Sequence, residues 1–401
     1  MIHKIYNIIS FYDEIRWSSL SNYNLINFCN EDLDDDAKLL THWLCYITDR
    51  QTSFQRIWDV GGFVLSDLVE QIKKTRSLDA LNPESENSFV CKNGNEGFSF
   101  ISKSKANGNT LLQDYYSYKA DERIKFTPRY YPSDYFSIIY TFSILKNYDF
   151  SFTKFIIEQF EKHKNSENYI KKILYSLYLL TYFEVGQPNK KDMSDFYSSI
   201  KNAESRANKV YDILSNNFQK NYAKFAKRDI FNQKRAWCSL RDFLKSPEFK
   251  KYFIHSLENE GISAVSIKKL TSLESLRQLE LPGDVWNNNP IFRSCIFQNT
   301  EYEESKKSLN VILRDYFDKN KSELDESYPE QFDVTFDFVP RMCSMKKCNI
   351  CPINVLKTGE YGDFFKTCVR NKDLFCTVAL INCGYNYNCI GEQCKLLKIL
   401  P

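Results

Sequence analysis

The chain has 401 residues, enough for one large core or for two or three domains, and its 43% hydrophobic and 26% charged residues are ordinary for a soluble globular protein. Only 12 Gly and 11 Pro against 31 Phe and 26 Tyr argue against a loop-rich or many-turned β architecture, so mainly helices are expected. A net charge of +3 is too small to establish a nucleic-acid partner, so any basic surface must be local.

The N-terminal stretch MIHKIYNIISFYDEIRW carries charges throughout its apolar residues, which makes a poor signal peptide. The first strong helix is predicted between Asp32 and Asp49. Its apolar residues Leu33, Ala37, Leu40, Leu44 and Ile47 recur at steps of three and four, behind an acidic start at Asp34, Asp35 and Asp36. A second helix is predicted over Phe54 to Lys73, interrupted by Gly61 and Gly62. The polar segment Asn82 to Thr110 reads as a loop holding a small hairpin around Asn93-Gly94. Core helices follow over about Asp134 to Leu145, Phe152 to Lys162, Tyr169 to Phe183 and Ala203 to Phe225, with no fixed repeat. The most apolar run, Ile173 to Phe183, is about half the ~20 residues that a membrane span needs. A cytoplasmic, monomeric protein without membrane contact is the expectation.

From Lys220 to Lys251 the helices turn basic, and Lys234, Arg235, Arg241 and Lys245 stand among interleaved aromatic residues. That pattern fits either a solvated helix face or a surface that tracks phosphates. Another group, THWLCYITDRQ, places His42 inside a helix and Arg50 and Gln51 at its end. His42 reads as a satisfied core histidine, while Arg50 and Gln51 could reach a phosphate or a flipped base, or form a surface ion pair.

Eight of the thirteen cysteines fall between Cys343 and the C-terminus. Cys343, Cys348 and Cys351 have the spacing C-x4-C-x2-C, followed at once by Pro352, with Cys368 or Cys376 available as a fourth ligand. Cys383, Cys389 and Cys394 come after. Since the cytosol keeps thiols reduced, such a set points to metal or cluster ligation before disulfides, and four thiolates can hold a [4Fe–4S] cluster or zinc. Buried thiols without a metal are the plainer alternative.

Two acidic stretches precede this segment. In LELPGDVWNNNPIF, Asp284 stands in a Gly-containing turn beside Trp286, Asn287, Asn288 and Asn289, a richer set than a turn and helix cap require. In FDVTFDFVP, Asp333 and Asp337 share one face whether the stretch is helix or strand. A solvated acidic face would look the same.

CNICPI resembles the end of the iron–sulfur loop in the endonuclease III and adenine glycosylase branches of the helix-hairpin-helix DNA glycosylases, although the first interval here is shorter than theirs. The acidic stretches loosely resemble the archaeal 8-oxoguanine branch. That resemblance implies a two-lobed, mainly α glycosylase fold acting on double-stranded DNA. Residues 1–110 would form a helical region with a polar loop, 111–340 the core with the active site, and 341–401 the cluster segment. It gives Asp284 and Asp333 the two aspartate roles, with Asp337 beside them, and a Schiff-base lysine from Lys245, Lys250 or Lys251. Trp286, Asn288, Arg50 and Gln51 would hold the base or DNA, as would Lys234, Arg235, Arg241 and Lys245. LPGD lacks the second glycine of the hairpin motif. Chemically, a carboxylate near the sugar stabilises oxocarbenium character and orients water, while aromatic and amide side chains hold the extruded base. The size of the chain suggests an unusual substrate, such as a hypermodified phage base in antiviral defence. A zinc-stabilised nucleic-acid-binding protein and a cluster-bearing redox protein are the other readings.

Overall fold

The computed structural model describes residues 33–48, 62–82, 85–86, 88–93, 97–100, 132–181, 196–226, 234–279 and 309–320. The described part is mainly helical. Its helices are α1 (Asp35–Thr48), α2 (Gly62–Thr75), α3 (Pro132–Leu145), α4 (Phe152–His163), α5 (Tyr169–Leu179), α6 (Phe196–Asp212), α7 (Phe218–Ala226), α8 (Lys234–Lys245), α9 (Pro247–Asn259), α10 (Ala264–Leu270), α11 (Leu273–Gln278) and α12 (Leu309–Lys319). The expected hairpin is present as β1 (Val90–Asn93) and β2 (Gly97–Phe100), antiparallel with Val90 opposite Phe100 and Asn93 opposite Gly97. No helix among the described residues is long and apolar enough to cross a membrane.

Contact density divides the chain into two units, Ile26–Thr271 and Met1–Leu25 with Ser272–Pro401. The second contributes α11, opened by Ser272 Oγ accepting from Ser275 N, and α12, where Ile312, Leu313 and Phe317 are buried. The first unit is organised around α1, which packs against α2, α3, α4, α8 and α9. Every residue of α1 from Leu39 to Thr48 is buried. A helix enclosed on all sides cannot leave its polar groups to water, so each must pair inside. Thr41 and Thr48 donate their hydroxyls back to the carbonyls of Ala37 and Leu44.

The acidic start of α1 serves two helices. Asp34 Oδ1 accepts from Ala37 N at 2.7 Å and caps α1 itself. Asp36 accepts from Thr153 N at 2.6 Å, Phe152 N at 3.3 Å and Ser151 Oγ at 3.2 Å, so its carboxylate caps the N-terminus of α4. Lys73 of α2 bridges Asp34 and Asp36 at 2.8 and 2.9 Å. Between α3 and α4 the chain turns through Asp149 and Phe150, both in the left-handed region, closed by Phe150 N donating to Leu145 O.

Two boundaries differ from the periodicity. α5 ends at Leu179 rather than Phe183, and the two carbonyls just beyond it are received by α3: Thr141 Oγ1 donates to Leu180 O and Ser137 Oγ to Thr181 O. The helix predicted from Ala203 to Phe225 is α6 and α7 joined by a π turn, Ile213–Asn217. Three helices escaped the sequence reading: α10 and α11, which are too short for periodicity, and the longer α12. Of these, α10 follows a turn in which Gly261 takes φ +78°, with Ile262 N donating to Leu257 O, and Ser263 Oγ caps it by accepting from Ser266 N.

Candidate functional site

A buried group of ionisable side chains lies between α1 and α8. His42 and Tyr46 are four residues apart on α1 and therefore share a face. Opposite them, Asp242 Oδ2 accepts from Tyr46 Oη at 2.7 Å and pairs with His42 Nε2 at 3.1 Å. Its other oxygen accepts from Arg241 Nε at 2.9 Å and lies 2.8 Å from Arg241 Nη2. His42 and Arg241 are completely buried, and Asp242 retains 2% exposure.

Aromatic rings surround this group. The His42 ring lies 4.0 Å from Phe249, 4.9 Å from Tyr46 and 5.0 Å from Phe243, between ring centroids. Arg241 stacks over Trp237, one turn earlier on α8, at 4.9 Å. Burial holds the His42 pKa below its ordinary value; Asp242 pulls it up and Arg241 pushes it down again. The imidazole is then neutral at pH 7, with Nε2–H donated to Asp242. In this geometry the group locks α1 to α8 and offers no open face to a substrate. Arg235 strengthens the lock by donating Nη1 to Ile47 O at 2.7 Å, at the C-terminal end of α1.

The basic stretch is therefore not one continuous surface. Arg241 is inside the core, where phosphate would not reach it, and Arg235 is used in part on the α1 carbonyl. Lys245 is half-buried, Lys250 donates to Thr271 O at 3.3 Å, and Lys251 is exposed. Lys234 opens α8. His42 is the core histidine expected of it, and its carboxylate partner, Asp242, carried no mark in the sequence beyond its place beside Arg241.

The candidates Arg50, Gln51, Asp284, Trp286, Asn288, Asp333, Asp337, Cys343, Cys348, Cys351 and Cys368 lie outside the described residues. Among the described residues no group of three or more His, Cys, Asp or Glu side chains is placed to hold a metal, and Cys45 and Cys238 are buried thiols of α1 and α8. The chain matches no protein-family model, no curated protein and no solved structure.

Proposed function

We propose that the chain is a DNA glycosylase that flips out a modified base and hydrolyses its N-glycosidic bond, with a hypermodified phage base as the substrate class. The observation that carries this reading is the order of three sequence elements: an Asp284 loop with Trp286 and Asn288, the Asp333–Asp337 pair, and the C-x4-C-x2-C-P segment directly after it. The helical build of the described residues is compatible with that fold.

In this reading Asp284 faces the sugar, stabilises its developing positive charge and orients the attacking water. Trp286 stacks on the extruded base and Asn288 bonds its edge. Asp333 and Asp337 supply the second carboxylate. The thiolates of Cys343, Cys348, Cys351 and either Cys368 or Cys376 form a donor set suited to a [4Fe–4S] cluster, which would fix the fold of the segment. The same donor set suits zinc, and this favours a non-enzymatic, zinc-stabilised nucleic-acid-binding protein as the second reading.

Abasic-site formation on duplexes carrying different modified bases, glucosylated hydroxymethylcytosine among them, tests the reading. Base release that disappears in Asp284→Asn while duplex binding persists is the expected result. Release unchanged in both Asp284→Asn and Asp333→Asn removes these residues from the chemistry. Bound iron with a broad visible absorption is expected after anaerobic purification. Colourless protein with stoichiometric zinc and no base release establishes the second reading instead.

A further inference from the structure

We propose that the turn between α4 and α5, together with α10 laid across it, forms a lysine ridge that docks the phosphate backbone of duplex DNA. The inference rests on the DNA reading above and assigns its docking surface to a place where the sequence drew no attention.

Three short lysine-bearing segments meet here. α4 closes with Lys162 and Lys164 follows it, α5 opens with Lys171 and Lys172, and α10 ends in Lys268 and Lys269. Their convergence is fixed by contacts between residues some hundred positions apart. Tyr169 Oη donates to Lys269 O at 3.1 Å, and Lys269 Nζ donates to Lys164 O at 2.5 Å while standing 5.3 Å from the centre of the Tyr169 ring. On the other flank Lys172 Nζ lies 5.6 Å over the ring of Tyr222, on α7. The turn's N-terminal helix end adds to the same sign of potential, since α5 begins at this point.

Among the described residues of these three segments, lysines outnumber carboxylates. Glu158 pairs with Lys162 and Glu161 with Lys164, in exposed pairs of small energy that a phosphate could replace, and Glu167 stands in the turn. Lysine thus exceeds carboxylate along this edge. Beneath it, His163 is buried and stacked on Phe218 at 4.4 Å. Burial above all, and then the nearby charges of Lys172 and Lys162, push the His163 pKa down to about 4.

The kind of partner follows from what the ridge contains and lacks. Compact ammonium charges without an arginine fork suit a continuous phosphate backbone better than one isolated phosphoryl group. Single strands are usually held by exposed rings, whereas Tyr169 and Phe218 are buried below the lysines. A membrane surface calls for apolar side chains to insert, and Val265 is the one large exposed hydrophobic residue of α10. A duplex is the occupant that fits.

The test uses the full chain and an unmodified fluorescent duplex, with binding followed by anisotropy across a salt series. Lys172→Glu/Lys268→Glu is expected to weaken binding at low salt and to flatten the salt dependence by about two charges. The affinity lost between about 50 and 200 mM salt then shrinks by about tenfold. Lys74→Glu, on exposed α2 surface, is the off-ridge control, with half the charge change, and is expected to keep the native slope. If the reversed pair perturbs folding, Lys172→Gln/Lys268→Gln carries the same comparison. Native duplex binding whose slope these substitutions leave unchanged overturns the ridge and leaves the glycosylase reading standing. A native chain that does not bind duplex, or ridge variants impaired only on anionic phospholipid vesicles, also overturns it. Ridge-dependent duplex binding without any base release supports the ridge and rejects the glycosylase reading.

Discussion

The arginines of α8 and the lysines at the α4–α5 edge carry the same formal charge and have opposite surroundings. Arg241 is sealed against Asp242 and Trp237, and Arg235 reaches a backbone carbonyl of α1, whereas Lys171 and Lys172 keep partial exposure and Lys268 is exposed. A guanidinium is weakly hydrated and planar, so it can lie between a ring and a carboxylate at tolerable desolvation cost. An ammonium is strongly hydrated and stays near the surface, where its head can stand over a ring, as those of Lys172 and Lys269 do. Counting basic residues along the chain therefore overstates the surface charge of α8 and understates that of the edge.

Substitutions can break this contrast from either side. Asp242→Asn should have the largest effect. It leaves Arg241 buried without its counter-charge, a loss of about 3–5 kcal/mol, seen as a fall in melting temperature on the order of 10 °C. A near-native melting temperature would mean that water reaches Arg241 and that the core is not sealed. Arg235→Met should cost less, about 1.5–3 kcal/mol in chemical denaturation, by removing a charged donor from the end of α1.

Acid probes both regions at once. The folded pKa values of His42 and His163 lie below the ordinary value, so the unfolded chain binds protons more readily than the folded one. The stability they contribute is complete above about pH 6.5 and is lost as the pH falls below that value, for His163 down to about 4. His163→Phe, which retains the stacking on Phe218, should flatten the pH dependence of unfolding in this interval, and an unchanged profile would mean that His163 is not held neutral by its burial.

The smallest effect concerns the turn that delivers α10. A Cβ at Gly261 would meet nothing within 4 Å, so Gly261→Ala should express backbone strain alone, about 1 kcal/mol by thermal unfolding. Duplex affinity should be unchanged where the variant is folded.

Much of the helical framework was legible because long apolar periodicities leave few alternatives. The stretch from Leu33 to Ile47 predicted α1 nearly to the residue, and Asn93-Gly94 marked the hairpin. What escaped was decided by tertiary contacts. Nothing in KRAWCSLRDFLK says that Arg241 is interior, because the periodicity places a residue on a face but does not say what covers that face. Pairing His42 with Asp242 required α1 and α8 to meet, 200 positions apart. The lysines of the edge were hidden as three unremarkable pairs in separate segments. The stretches around Asp284 and Asp333 and the cysteine segment lie outside the described residues, so the candidate catalytic set stands on sequence chemistry.

The π turn between α6 and α7 has a consequence for how this edge can change. Such a turn uses one more residue than an α turn, so all that follows lags by about one position, ~100° of rotation. That phase lag returns Phe218 to the side already occupied by Ala203, Ala207, Val210 and Leu214, all buried, and sets Tyr222 beneath Lys172. Deleting a single residue within Ile213–Asn217 would remove the extra residue and its lag together, so the turn would relax into ordinary helix with both rings still facing α4 and α5. The wide turn works as a slack loop in the helix: it takes up one extra residue while the aromatic floor under the lysines keeps its place.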